Sequence, residues 1–410
     1  MRVFIIVIIQ IAFVGSNLQI KDAADKIKSI LTRYKNFRDR RCVKPNLKLD
    51  SFVDSTVNFL VKTERFGDFL KSYNASECAG DITNSAHYLE RHIDGLLIHE
   101  NVSDRHWDEY KSVFDKSYIS QHHEMAAWAT WLDNLKLIAR HNRDYLSGKH
   151  SYSLHLNHFA DWDVSDYVTD ILKLISTIPL FDPARDYSRS AYRRIKHRSV
   201  PRTVDWRSRG FTPRREEQWH CGACYAFAVT HALQAQLYRK HRQWRELSPQ
   251  QIVDCSFKDG NMGCDGGSLQ AALRYASRAG LAMEAQYPYL GKRGVCHYSH
   301  SLVRVRPRRW ATLPSGDEAA LERALATIGP LAVAVNAAPI TFQFYRNGIY
   351  DDPFCVPWKM NHAMLLVGYT PQYWILLNWW GRHWGEDGYM RIRRGLNTCG
   401  VANMAVYVEL

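Results

Sequence analysis

Residues 218–227 read Gln218-Trp-His-Cys-Gly-Ala-Cys-Tyr-Ala-Phe227. Two cysteines three residues apart serve three chemistries: a redox dithiol, half of a zinc site, or a structural cysteine beside a reactive one. The run from Tyr225 to Leu237 is alanine-rich and holds neither Gly nor Pro. It predicts a helix with Cys224 near its N-terminus, where unpaired N–H groups and the helix dipole favour a thiolate. A nucleophilic thiolate needs a base from elsewhere in the chain. The best candidate is His362, in Met360-Asn-His-Ala-Met-Leu-Leu-Val-Gly-Tyr369, where the apolar run predicts a strand that His362 opens. Tyr373-Trp-Ile-Leu-Leu-Asn-Trp-Trp-Gly381 reads as another strand, ended by Asn378. The amide oxygen of Asn378 can accept the imidazole N–H and fix its tautomer, and Trp380 and Trp384 can keep water from that bond. A redox dithiol of Cys221 and Cys224 would need a βαβ context. A zinc site would need a second Cys or His pair at ligand spacing, and none is convincing.

The chain of 410 residues is long enough for two or three domains, and 46% hydrophobic residues allow a packed core. Its net charge of +13 favours anionic partners such as glycosaminoglycans, although a solvated basic surface accounts for the same charge. No nucleic-acid motif is present, so nucleic-acid binding is not expected. Val3 to Val14 is apolar except for Gln10, and Gly15 and Ser16 follow. Residues 1–16 therefore read as a secretory signal peptide, too short for a comfortable membrane span, and no stable membrane insertion is expected. A retained signal anchor is the alternative. Disulfides are permitted in that compartment. Nine cysteines leave at least one thiol free or paired between chains. Sequons at Asn74 and Asn101 fit the same route, which ends in the lysosome or outside the cell.

Residues 17–103 read as a helical extension of unknown role, an extended pro-segment or an adhesion and targeting module. Cys42 and Cys78 are its only cysteines, and the simple expectation is that they pair. Residues 104–165 form a further segment whose helical zone, residues 104–145, has two stripes, Trp107, Tyr110, Phe114 and Tyr118, then Ala127, Trp131, Asn134, Ile138 and Asn142. Asn157-His-Phe-Ala-Asp161 interrupts as a short strand or turn. Residues 166–199 read as a basic linker, with six Arg/Lys against one Asp in residues 185–198. Such linkers are where proteases cut, here between about Arg193 and Pro201. Beyond residue 200 Gly, Trp and Cys become dense, which sets a domain boundary near Val200.

Cys221-Gly-Ala-Cys-Tyr225 resembles the nucleophile signature of the papain-like, cathepsin L-like cysteine proteases, with His and Asn roughly 130–150 residues downstream as His362 and Asn378 are. Val200-Pro-Arg-Thr-Val-Asp-Trp206 resembles their mature N-terminus. Leu247-Ser-Pro-Gln-Gln-Ile-Val-Asp-Cys255, Gly263-Cys-Asp-Gly-Gly267, Tyr287-Pro-Tyr289 and Trp384-Gly-Glu-Asp-Gly-Tyr389 resemble further family segments, so the likeness spans residues 200–410. Trp131, Asn134, Ile138, Asn142, Asn157, Phe159 and Asp161 resemble the inhibitory propeptide of these enzymes. His123, Ala127 and His155 depart from it where the family has Glu, Arg and Gly. Trp219, Ala223 and Tyr225 stand where Gly, Ser and Trp are usual.

The resemblance implies an α+β fold of two lobes, one helical and one β-barrel-like, with a cleft between them and a mainly helical pro-region ahead. It implies a cysteine endopeptidase made as a zymogen, with protein and peptide substrates, its own propeptide as inhibitor, and neither cofactor nor metal. Cys224 would be the nucleophile, His362 the base and then the acid, Asn378 the orienting group, and Gln218 the oxyanion-hole side chain. Cys221–Cys264, Cys255–Cys296 and Cys355–Cys399 would pair as the family does, leaving Cys224 free. Ser268, Leu269, Ala334, Met360, Ala363 and Met404 would line an apolar pocket for the residue two before the scissile bond, with Gly266, Gly267 and Trp384 also along the substrate. His220, His231 and His383 read as surface or packing histidines. The competing reading is a catalytically weak or inactive relative acting as a secreted binding or matrix protein.

Overall fold

The computed structural model describes residues 104–175, 198–242 and 244–410. The expected signal peptide, the extension 17–103, the Cys42–Cys78 pairing, both sequons and most of the basic linker lie outside the described residues. Residues 107–410 form one unit.

The described part of the pro-region begins with helix α1 (Asp104–Val113) and the long helix α2 (Gln121–Leu146). Ser120 starts α2, its Oγ accepting from His123 N at 3.2 Å, which satisfies one of the donors a helix start leaves unpaired. The buried face of α2 holds Ala127, Trp131, Asn134, Ile138 and Asn142. Trp107 and Tyr110 pack on Trp131 at 5.4 and 5.8 Å between ring centres. The two asparagines of that face do more than pack. Asn134 Nδ2 donates to the carbonyls of Ala160 and Trp162, and Asn142 pairs both ways with the backbone of Leu154. Asn134 fixes a piece of irregular chain and Asn142 the end of the short strand 152–154, each supplying partners to buried backbone polar groups. Asp161 takes the Lys116 ammonium at 2.8 Å and the hydroxyls of Tyr110 and Tyr118 at 2.7 and 2.9 Å. Glu124, one residue beyond the position where the family has its glutamate, accepts from Lys111 and Trp107.

The chain continues through β1 (Tyr152–Leu154) and helix α3 (Val164–Asp170), begun by the Asp163 side chain. The linker expected over 166–199 therefore starts later than expected. Residues 164–170 are helical, and Ile171, Leu172 and Leu174 are buried. Their apolar side chains leave water against the cleft described below, whereas a linker would keep polar residues in solvent.

After β2 (Val204–Asp205) comes α4 (Cys224–His241), buried all round from Cys224 to Leu237 as befits a helix at the centre of a lobe. Helices α5 (Pro249–Cys255) and α6 (Leu269–Ala279) pack on it, followed by the hairpin of β3 (Leu281–Ala282) and β4 (Val303–Val305). Then come β5 (Arg309–Thr312), α7 (Glu318–Thr327), β6 (Leu331–Val335), α8 (Ile340–Gln343), β7 (Tyr345–Tyr350), β8 (His362–Tyr369), β9 (Tyr373–Leu377), β10 (Tyr389–Arg393) and β11 (Ala405–Glu409). They build a sheet in the order β1-β7-β10-β9-β8-β6-β11-β5, with β2 also on β8. Its pairs are antiparallel except β10 with β7. The pro-region thus contributes a strand of its own, β1 pairing Tyr152 with Gly348. This is the expected α+β architecture with a helical pro-region.

Candidate active site

Cys224 is the first residue of α4, following Ala223 and the disulfide Cys221–Cys264. Cys255–Cys296 and Cys355–Cys399 are also formed, and Cys224 is the free cysteine among the described residues. A bridged Cys221 cannot share a dithiol with Cys224. No group of His, Cys, Asp and Glu among the described residues is arranged to hold a metal ion.

His362 opens β8 and Asn378 directly follows β9, a placement set by the pairing of these strands. His362 Nε2 donates to Asn378 Oδ1 at 2.7 Å. Asn378 Oδ1 also accepts from Trp379 N at 2.9 Å, which holds the amide. The other ring nitrogen, Nδ1, has no hydrogen-bond partner, although it is buried. Trp380 stacks on the imidazole at 4.8 Å, and Trp384 meets Trp380 edge-on at 5.0 Å. Trp380 is therefore the ring that shields His362. Trp384 braces it, donates to Phe342 O and is itself fully buried.

Burial pushes the Cys224 thiol up to about 12, against the smaller opposing pull of the backbone N–H groups of Ala363, Tyr225 and Cys224. Burial likewise pushes the His362 imidazole down to about 4, against the bond to Asn378. Both groups are fully covered. A thiolate at Cys224 beside a protonated His362 is thus opposed while the site is closed, because a buried charge loses its hydration.

The cover is the pro-region. Gln218 Nε2 reaches Ile171 O at 3.4 Å and Cys221 O at 2.9 Å. Leu174 N donates to Asn361 O at 3.0 Å, and Ile175 N to Gly267 O at 2.8 Å, in a parallel bridge of Leu174 with Gly267. Residues 171–175 therefore run between the helical lobe and the sheet. Gly266, at φ +112°, allows this approach: a Cβ there would lie 2.2 Å from Lys173 O.

The expected pocket residues fall on both sides of that strand. Ala334 and Ala363 are cross-strand partners on β6 and β8, and Ala334 N donates to Met404 O. Met360 lies two residues before β8 and is half-buried. Ser268 starts α6, its Oγ accepting from Ala271 N, and Leu269 follows it. Among the histidines, His231 is buried against Glu216 and Phe227 O, while His220 and His383 are exposed. Sequence reasoning did not single out Ile171, Leu174 and Ile175. Their signal is the apolar run from Ile171 to Ile175, which precedes the basic stretch.

Residues 200–409 match the papain family cysteine protease, and residues 107–167 match the cathepsin propeptide inhibitor domain. A cathepsin L-like protein of Caenorhabditis elegans is 39% identical over 73% of this chain and 90% of its own. Cathepsin S of Mus musculus is 36% identical over 75% of this chain and 91% of its own. Among solved structures, digestive procathepsin L 3 of Tenebrio molitor larval midgut is similar with a TM-score of 0.69 and 33% identity, over 76% of this chain and all of that one.

Proposed function

The chain belongs to the papain family of cysteine proteases and carries their propeptide inhibitor domain, and from that premise we propose that Cys224, His362, Asn378 and Gln218 carry its catalysis. It is a cysteine peptidase made as a zymogen, with its own propeptide as intramolecular inhibitor. The reaction proposed is endopeptidase cleavage once the propeptide leaves.

With residues 171–175 gone, water reaches Cys224 and His362 and the desolvation that opposes their charges falls away. The thiol proton passes to His362 Nδ1, the ring nitrogen left without a partner. The thiolate attacks the substrate carbonyl carbon, and the carbonyl electron pair moves onto oxygen. Gln218 Nε2 and Cys224 N–H donate to that oxygen. His362 gives its proton to the leaving amine as the C–N bond breaks, and a thioester remains. Water then attacks the thioester, giving its proton to His362, and the carboxylic acid leaves as the thiol re-forms. Asn378 holds the ring through Nε2 throughout.

The observation that carries this reading is the bond of His362 to Asn378, with a free thiol at a helix start that meets the backbone of Ala363, the residue after His362. The apolar lining by Leu269, Ala334, Ala363 and Met404 supports a preference for Leu, Val or Phe two residues before the scissile bond. The apolar leader supports passage through the secretory pathway. The net charge of +13 is the basis for proposing contact with a sulfated glycan. The test is hydrolysis of a Leu- or Phe-containing fluorogenic peptide after acid processing, beside Cys224→Ala. Turnover that Cys224→Ala abolishes is expected. Turnover that survives it refutes the assignment, and no turnover in processed, disulfide-intact protein favours a binding relative.

A further inference from the structure

Trp219 follows Gln218 directly and adopts φ +50°, the left-handed region that bulky side chains rarely occupy. Such a conformation persists where the surroundings over-determine it. Here they do. The indole stacks on Tyr289, with ring centres 5.6 Å and planes 29° apart. It lies so close to Gly291 that a Cβ there would stand 2.2 Å from Trp219 Cε3. Tyr289 is itself fixed, its hydroxyl donating to Gln218 O at 2.8 Å and its N–H to Glu284. Yet Trp219 remains 53% exposed. A ring serving only to fill space would be covered. This one is held rigid with a face toward solvent, one residue from the side chain assigned to the oxyanion.

Its neighbour His220 supplies an independent observation. The propeptide's Trp162 stacks on the His220 ring at 5.2 Å and 21°, and Trp162 is held there by Asn134 through its carbonyl. The chain's own inhibitor thus lays a large aromatic side chain against this rim. The propeptide contacts also give the direction. Leu174 lies at Gly267 and Asn361, beside the pocket assigned to the acyl half of the substrate. Ile171 lies at Gln218, and Trp162 lies beyond it at His220. His220 and Trp219 therefore belong to the side on which the leaving half of a peptide departs.

We infer that Trp219, with His220 beside it, is a specificity-determining shelf that takes an aromatic side chain from the leaving half of the substrate. The zymogen occupies the His220 part with Trp162. Release of the propeptide frees that face of the His220 ring, one residue along the chain from Trp219. An aromatic side chain placed there stacks on a surface ordered in advance, so little side-chain entropy is lost on binding. This inference rests on the protease reading above, and its test separates the two.

The experiment uses the mature enzyme and a series of internally quenched peptides. They share one acyl half and carry Phe or Gly at the first or second position after the scissile bond. The readout is the ratio of kcat/KM for Phe over Gly, measured for the parent, Trp219→Gly and Trp219→Phe. The parent is expected to favour Phe at one of the two positions. Trp219→Gly is expected to lower that ratio about fivefold, and Trp219→Phe to restore most of it. A ratio unchanged in Trp219→Gly, or a uniform loss on every peptide, overturns the inference and leaves Trp219 a structural residue of the loop. No turnover of any peptide by the parent is instead a failure of the protease reading.

Discussion

Replacing Asp161 by Ala is expected to loosen the inhibitory pro-region without touching the proposed catalytic residues. The carboxylate is almost wholly covered, with its side chain 5% exposed, and its cation Lys116 is 15% exposed. It accepts the ammonium at 2.8 Å and two tyrosine hydroxyls at 2.7 and 2.9 Å. Lys116 also donates to His158 O, so the pair ties the start of the pro-region to the turn before α3. Removing one member of a buried ion pair costs about 3–5 kcal/mol, because the partner keeps its charge and loses its counter-ion. The Tyr110 and Tyr118 hydroxyls lose their acceptor at the same stroke. A loss of about 3 kcal/mol multiplies the open population roughly 150-fold. The assay is limited proteolysis of the pro-region at neutral pH, in a Cys224→Ala background that removes self-processing. Asp161→Ala is expected to be cut at least tenfold faster. Combining Lys116→Met with Asp161→Leu removes both charges and is expected to recover part of the loss. A cleavage rate within threefold of the parent for Asp161→Ala would refute the reasoning, since the pair would then not hold the pro-region closed.

Three further outcomes follow from the site and its cover. Asn378→Ala removes the acceptor of the His362 ring and should lower kcat/KM about 10–100-fold, with slowed alkylation of Cys224 below pH 7; an unaltered alkylation profile would argue against an orienting role. In a P2 peptide library Leu, Val and Phe should lead Arg at least tenfold, and a strong Arg preference would contradict the apolar lining. Acid should loosen the zymogen. Burial, helped by Lys116, His383 and His220, pushes His158 down to about 3, and burial pushes His362 down to about 4. Each binds a proton more readily once uncovered, near the ordinary value of about 6.5. Their contribution to closure is therefore full above pH 6.5 and is lost as pH falls toward 4 and then 3. Thermal melts of the Cys224→Ala zymogen from pH 7 to 4 should show this, with a shallower slope in His158→Phe; equal slopes would exclude His158.

The residues proposed to bear the chemistry were legible as positions because their signals are local. A cysteine before an alanine-rich run, a histidine opening an apolar run and an asparagine closing another each sit where an element begins or ends. The pro-region was half legible. The stripe from Ala127 to Asn142 marked the buried face of α2, but spacing could not tell that Asn134 and Asn142 hold distant backbone carbonyls rather than merely occupy the face. The segment 164–175 was not legible as a cleft occupant. Its apolar residues are too few to show a period, and its place is decided by the backbones of Gly267 and Asn361, far away in the chain. The left-handed backbone of Trp219 was equally hidden, since a tryptophan gives no local cue for it and the cause lies in Tyr289 and Gly291.

The strand β1 has a consequence for what activation leaves behind. In the zymogen β7 is shielded on both sides, by β10 and by the pro-region strand β1. Ile349 N–H and Phe344 C=O take their partners, Ser151 O and His155 N–H, from the residues on either side of that strand. Removing the pro-region turns β7 into an open border of the sheet, with backbone groups free to recruit another chain. Arg346, Asn347 and Gly348 make that border charged, polar and short of side-chain bulk, which discourages such recruitment. Maturation is then a colloidal event as well as a catalytic one: the same cut that admits substrate also unveils a templating surface, and solubility after the cut depends on three residues far from the thiol.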